Sequence, residues 1–337
     1  MIAKLLIGCV VSAAFVYFTL RGVNLHEVWA GLQGKDYMVL LPAALTFLTC
    51  QIAKSVRWGV ILSPLKSIGQ RRLFPLASVG FMAIIVAPMR LGELVRPYLA
   101  SAKEGVPMVS GIATILVERV MDLTILLLFL FFVLSQVSLP HWFLRGGVLL
   151  LLVVLAEFVV IVLFLIWPRA VTRALRPVTA RLPGSLGQRI DGFVHSLSAG
   201  FAVISDAGRF LKVFALSFVV WGLSALAVYL LFVFCGFPFG ITEALAVTTI
   251  TALGISLPAA PGLIGNFQFA CMVALSFRGV PKTDAFVYAM VYYCLGVGIN
   301  LVLGVLFMTV IDFPIKRIFG LDKVDGQEKG LAEVSMP

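Results

Sequence analysis

Two short charged constellations stand out in an otherwise apolar chain. The first is Pro88-Met-Arg-Leu-Gly-Glu-Leu-Val-Arg96, in which Arg90, Glu93 and Arg96 recur every third residue. On a helix that spacing gathers them on one face. Pro88 and Gly92 interrupt the helix, so an arm starting near Gly92 opens with free backbone N–H groups and the positive end of a helix dipole. A phosphate or carboxylate binds well at such a start. The alternative role for these arginines is to anchor the base of the segment to lipid headgroups. The second constellation is Glu118-Arg119-x-x-Asp122. At about 100° per residue its three charges share one sector of a helix, and Arg119 can meet Asp122 at i,i+3.

These charges lie inside apolar runs. Asp122 falls about 18 Å along its run, and Glu157 stands alone among Leu, Val and Phe in the next. Each such charge costs about 2.5–3.5 kcal/mol on insertion scales, so all should face the protein interior and be paired. Glu157 reads either as half of a structural salt bridge or as a proton-linked or substrate site. Farther on, Pro258-Ala-Ala-Pro-Gly-Leu-Ile-Gly-Asn-Phe-Gln268 brings Pro258, Pro261, Gly262, Gly265 and Gln268 together, with amides but no charge. Tyr288, Tyr292 and Tyr293 follow, as packing residues or as ligand contacts.

The elements that hold these residues must be membrane helices. Of 337 residues, 61% are hydrophobic and 12% charged, and the mean hydropathy is +1.07. Soluble domains carry about 25% charged residues, so a water-soluble enzyme is excluded. The net charge of +10 reflects basic residues in loops beside apolar spans, where lipid headgroups and the positive-inside rule explain them. Nucleic acid is not an expected partner. The cysteines (Cys9, Cys50, Cys235, Cys271, Cys294) read as small buried hydrophobes. His26, His141 and His195 are scattered, with no metal-ligand spacing, triad or P-loop. Neither a metal nor a cofactor is expected.

Eight apolar runs occur, near 2–20, 37–62, 73–88, 111–136, 146–167, 210–236, 243–277 and 284–313. Residues 2–20 are read as a retained first span. Loop charge reduces the crossings to six. Lys54, Arg57, Lys66, Arg71 and Arg72 place the end of the second run inside, and Arg169, Arg173, Arg176, Arg181 and Arg189 in the 168–209 loop do the same for the fifth. The fourth run must then start inside, and 73–101 enters and leaves on one side. Lys316, Arg317 and Lys323 put the tail inside, which makes 243–277 re-entrant from outside, although Arg278 and Lys282 run against this. The expected architecture is an all-α polytopic membrane protein with six full spans, two opposed re-entrant hairpins and both termini cytoplasmic. It forms one transmembrane domain, 1–321, with an amphipathic cytoplasmic loop at 168–209 and a disordered tail at 322–337.

The hairpins also resemble each other. Residues 88–92 (Pro-Met-Arg-Leu-Gly) and 261–265 (Pro-Gly-Leu-Ile-Gly) lie 173 apart, and each is followed by a short helix and Gly-Val-Pro, at 105–107 and 279–281. Units of about 37–136 and 210–313 starting on opposite sides form an inverted repeat. Broken helices at matching places in inverted halves point to a transport site.

Arg90-Leu-Gly-Glu93-x-x-Arg96, Glu118-Arg119-x-x-Asp122 and the Pro261–Gly265 tip together resemble the flippase-like membrane region of lysylphosphatidylglycerol synthases, which also occurs as stand-alone proteins. Arg57-Trp58, at the interface end of the second run, fits the same pattern. The resemblance covers about residues 5–315 and implies movement of lipid between leaflets, without the soluble aminoacyl-transfer domain of the fused synthases. Where the family usually has Glu, this chain has Gln268, which weighs against an aminoacylated lipid. The expected function is a non-enzymatic translocase of an anionic or phosphate-bearing lipid in the cytoplasmic (inner) membrane. Arg90, Arg96 and Arg119 would hold the phosphate, and Glu93, Glu118, Asp122 and Glu157 would support them. Its partners would be membrane lipids and a separate lipid-modifying enzyme. The competing expectations are a proton-coupled small-solute transporter and a membrane enzyme acting on lipid-linked substrates.

Overall fold

The computed structural model describes residues 14–87, 92–136, 206–256 and 261–311, together with Leu152, Leu155 and Val159. Pro88, Arg90, Glu157, Pro258, most of the expected fifth span, nearly all of the 168–209 loop and the tail lie outside the described residues. Within them there are helices and turns and no strand. After a helical stretch at 14–20 come α1 (Leu25–Leu32), α2 (Leu40–Leu62, entered through a 3-10 turn at Tyr37–Val39), α3 (Gln70–Val86), α4 (Val95–Glu104) and α5 (Met108–Gln136). Then follow α6 (Ala207–Cys235), α7 (Ile241–Gly254), a 3-10 turn at Pro261–Leu263, α8 (Asn266–Ser276) and α9 (Lys282–Val310).

Length sorts these helices. Tyr37–Leu62, Ala207–Cys235 and Lys282–Val310 are long and apolar enough to cross a membrane. Helix α5 has the same 29 residues as α6 and α9, but Glu118, Arg119 and Asp122 sit within it. By contrast α4 and α8, with 10 and 11 residues, reach only about 15–17 Å, roughly half of a hydrocarbon core. Both stop at the Gly-Val-Pro motif. Gly105 and Gly279 adopt φ of 70° and 71°, a left-handed turn that costs glycine little, and the proline beyond cannot extend the helix. The start of α6 is capped by Asp206, which accepts from the Arg209 backbone N–H at 2.8 Å. That bond holds the Asp206 carboxyl below the ordinary aspartate range.

The helices pack as two matching sets, α2–α5 and α6–α9. Contacts of α2 with α3, α3 with α4, α4 with α5 and α2 with α5 are repeated by α6 with α7, α7 with α8, α8 with α9 and α6 with α9. Between the sets, α3 packs on α9 as α7 packs on α5, and α2 lies along α6. Counterpart helices are inverted. Tyr37 meets Phe234, Cys50 meets Ser224 and Arg57 meets Ser217, so α6 runs antiparallel to α2. Cys50 and Ser224 are 174 residues apart and their Sγ and Oγ atoms approach to 3.6 Å, which puts the pseudo-two-fold axis between them. Each set has its own core, around Trp58, Leu73 and Leu99 in the first and Phe232, Cys271 and Tyr288 in the second.

Small residues set the helix crossings, as is usual where lipid gives helices no hydrophobic drive to associate. A Cβ on Gly80 would lie 2.0 Å from Arg96 Cγ, and one on Gly254 would lie 2.3 Å from Ala270 Cβ. These are counterpart positions at the crossings of α3 with α4 and of α7 with α8. The cations at the end of α8 are engaged: Arg278 pairs with Glu243 at 2.7 Å, and Lys282 donates to the carbonyls of Phe18 and Arg21.

Candidate functional site

Glu118, on α5, is the junction of the charged site. One carboxylate oxygen accepts from Arg57 of α2 at 2.9 Å and the other from Arg96 of α4 at 2.8 Å. One turn along α5, Asp122 takes the other terminal nitrogen of Arg57 at 2.6 Å and the indole N–H of Trp221, from α6, at 2.9 Å. Arg57 also donates to Ser217 Oγ at 3.0 Å. Four helices, α2, α4, α5 and α6, therefore meet at two carboxylates. Arg57, Arg96 and Glu118 are almost wholly enclosed, at 1%, 0% and 3% exposure. Removing one member of such a group leaves a charge without its counter-ion in a medium that cannot solvate it.

Aromatic rings complete the enclosure. The Arg96 guanidinium lies 4.6 Å from the centre of Phe81 and 5.5 Å from Trp58, within cation–π range. Trp58 donates to Thr114 at 3.2 Å. The edge of the cluster is more open. Arg119, with its side chain 35% exposed, pairs with Glu93 at 3.2 Å and reaches Asp122 only at 4.0 Å. The expected i,i+3 pair is thus the looser of its two. Several buried donors have no acceptor: Arg57 Nε, Arg96 Nε and Nη2, and Arg119 Nε.

Spacing groups Arg90, Glu93 and Arg96 on one face and, separately, Glu118, Arg119 and Asp122 on another, and the structure brings the five described members of the two sets together. It differs over Arg57 and Trp58. Expected at the interface, both are enclosed by protein, and Arg57 is the most heavily bonded arginine of the described site. The signal was its position within a 23-residue apolar helix, where the buried Cys50 and Ile61 share its side at i−7 and i+4. Ser217, Trp221, Thr114 and Phe81 gave no charge signal and were not anticipated.

The second tip has different chemistry. Gly262 and Leu263 take φ of 83° and 58° in the turn. Tyr293 holds the turn by donating to the Gly262 carbonyl at 2.6 Å, and the turn packs against α3. Gln268, buried at 5% exposure, accepts from the Gly265 N–H at 2.8 Å and so caps α8. Tyr288 donates to the Val228 carbonyl at 2.9 Å and Tyr292 stacks on Phe47. Tyr288 and Tyr293 are thus tied to the second half, and Tyr292 packs across to the first. Gly92 is buried at the first tip, where its Cα faces the α3 backbone so closely that a Cβ would reach within 2.0 Å of the Ala83 carbonyl oxygen.

The halves share a framework and differ in chemistry at counterpart positions. Trp221 on Asp122 corresponds to Phe47 on Gly296, and Trp58 on Thr114 to Phe232 on Tyr288. Arg57, Arg96 and Glu118 correspond to Leu231, Ala270 and Tyr292. One half carries the charges and the other is aromatic and neutral. Among the described residues no group of His, Cys, Asp and Glu is arranged to hold a metal ion.

A helical protein with membrane-length apolar helices, short interrupted arms and a buried Arg–carboxylate hub is a polytopic membrane protein. Residues 5–304 match the lysylphosphatidylglycerol synthase TM region, and the chain belongs to that family. It is similar to a UPF0104 membrane protein of Methanothermobacter thermautotrophicus, 24% identical over 302 residues, spanning 83% of this chain and 87% of the relative.

Proposed function

We propose that the protein is a lipid translocase of the cytoplasmic membrane, moving an anionic, phosphate-bearing lipid between leaflets along a path between the two hairpins. The observation that carries this reading is the set of buried guanidinium donors without acceptors, Arg96 Nη2 above all, where the short α4 arm crosses α3. A hub with only a scaffold role has no need of spare charged donors, because each one left unbonded is costly. A phosphate has the oxygens to engage them. In this reading the observed conformation is closed. Entry is on the Arg119–Glu93 side, Arg96 is reached when α4 shifts, and Glu118 and Asp122 hold the arginines apart so that the phosphate is released.

The accompanying topology has six spans, α3–α4 and α7–α8 as re-entrant hairpins, and both termini cytoplasmic. The short arms and the antiparallel counterpart helices support it. The lipid is not chemically altered in transit, and a separate enzyme would supply or consume it. A proton-coupled transporter needs a carboxylate free to titrate. Of the carboxylates suited to that role, the two among the described residues, Glu118 and Asp122, are both engaged with arginines, which favours the lipid reading.

Leaflet exchange in proteoliposomes tests the proposal. Fluorescent phosphatidylglycerol should exchange faster with the protein than in empty vesicles, and Arg96→Ala should slow it about tenfold or more, equivalent to about 1.4 kcal/mol on the barrier. Exchange no faster than in empty vesicles would remove the reading.

A further inference from the structure

Lys54 lies on α2, one turn before Arg57 and about 12 Å inside the span that ends at Leu62. Its ammonium is 5.5 Å from the centre of the Phe81 ring, and the Arg96 guanidinium is 4.6 Å from the same centre. The two cations are therefore within about 10 Å of each other. Lys54 is only partly buried, and among the described residues it has neither a carboxylate within salt-bridge distance nor a hydrogen-bond acceptor. The surrounding charges are otherwise matched: Arg57, Arg96 and Arg119 face Glu93, Glu118 and Asp122. Among the described residues Lys54 is the surplus positive charge of this group.

An unpaired ammonium at this depth is costly, and such residues in membrane spans mark ligand and ion pathways. Its surroundings define the ligand. Two unpartnered Arg96 donors lie on the same ring, so oxygen acceptors are called for. Among the described residues the cluster carries one excess positive charge, so their complement is a single negative charge. Glu118 and Asp122 are engaged with arginines and the second tip has the amide of Gln268, so an ammonium on the ligand meets no free carboxylate in this group. We propose that Lys54 binds the phosphate of a singly anionic phosphodiester headgroup, and that this site disfavours zwitterionic and aminoacylated headgroups. The inference rests on the translocase reading for its setting and adds a residue and a charge class to it.

Binding and exchange separate the two. In detergent, purified protein is titrated with short-chain phosphatidylglycerol, phosphatidylcholine and inorganic phosphate, and read by the fluorescence of Trp58 and Trp221. Phosphatidylglycerol should bind the parent at least about tenfold more tightly than phosphatidylcholine. Lys54→Met should erase most of that preference, and Lys54→Arg should restore it. The thermal midpoint of Lys54→Met should match or exceed the parent's, because the charge it removes has no counter-ion or hydrogen bond among the described residues and only the Phe81 ring as a contact. Competition by phosphate at the lipid's own concentration would assign the site to a free anion, and lack of competition to the lipid headgroup. Equal phosphatidylglycerol affinity in parent and Lys54→Met would overturn the role of Lys54. If the preference depends on Lys54 yet the parent does not exchange lipid in vesicles, the translocase reading fails and the anion site stands.

Discussion

Glu118 divides its two oxygens between Arg57 and Arg96, so a single side chain neutralises cations from two helices. Glu118→Gln should therefore destabilise the protein by about 3–5 kcal/mol, the usual cost of leaving a buried charge uncompensated. Thermal unfolding in detergent would register this as a lower midpoint, and an unchanged midpoint would mean that the hub is solvated. Adding Arg96→Met to Glu118→Gln should cost less than the two changes summed, since they share one bond. Gly80 makes a related prediction without any change of charge. Its added Cβ in Gly80→Ala would sit 2.0 Å from Arg96 Cγ. The arginine must move, at about 1–3 kcal/mol for an overpacked site, and lipid exchange should fall to the level of Arg96→Ala. Normal exchange in Gly80→Ala would mean that the exact seat of Arg96 is immaterial.

At the scale of the helix, the departure at Gln268 acquires a physical role. Position 268 is the third residue of α8, and its side-chain oxygen caps the Gly265 N–H. Glu performs that service equally well, because the capping box takes either acid or amide. Gln268→Ala should lose about 0.5–2 kcal/mol of local stability, read as faster hydrogen exchange in the first turn of α8, whereas Gln268→Glu should keep that protection. Loss of protection in both variants would show that the charge-free side chain itself is required. Helix ends were legible in the sequence wherever the backbone alone dictates them, as at the two Gly-Val-Pro stops. Arg57 was not legible in the same way. Its helix runs on to Leu62, and whether a cation near the end of an apolar run points to water or into the bundle depends on what packs against it.

For the whole molecule, the inverted repeat brings Cys50 and Ser224 together on the axis. With Cys9, Cys235, Cys271 and Cys294 replaced, Ser224→Cys should cross-link to Cys50 under mild oxidation and tie α2 to α6. If the hairpins do the moving, the cross-linked protein keeps its lipid exchange. No cross-link at this pair would displace the axis. Single cysteines at Ser67→Cys and Ser101→Cys should label from the cytoplasmic side, and labelling of either from outside would refute the hairpin topology.

Hydropathy and charge by themselves determine that this chain is a helical membrane protein, that two of its helical segments are broken by Pro and Gly, and that Glu118, Arg119 and Asp122 share a helix face. Those features follow from local periodicity and from the cost of charge in hydrocarbon. The tertiary structure alone decides the partners. Arg57 reaches Glu118 across 61 residues and Arg96 reaches it across 22, and Trp221 reaches Asp122 across 99. Such pairings depend on the depth and rotation of one helix against another. Steric fit at the glycine crossings sets that register, and no spacing along a single helix encodes it.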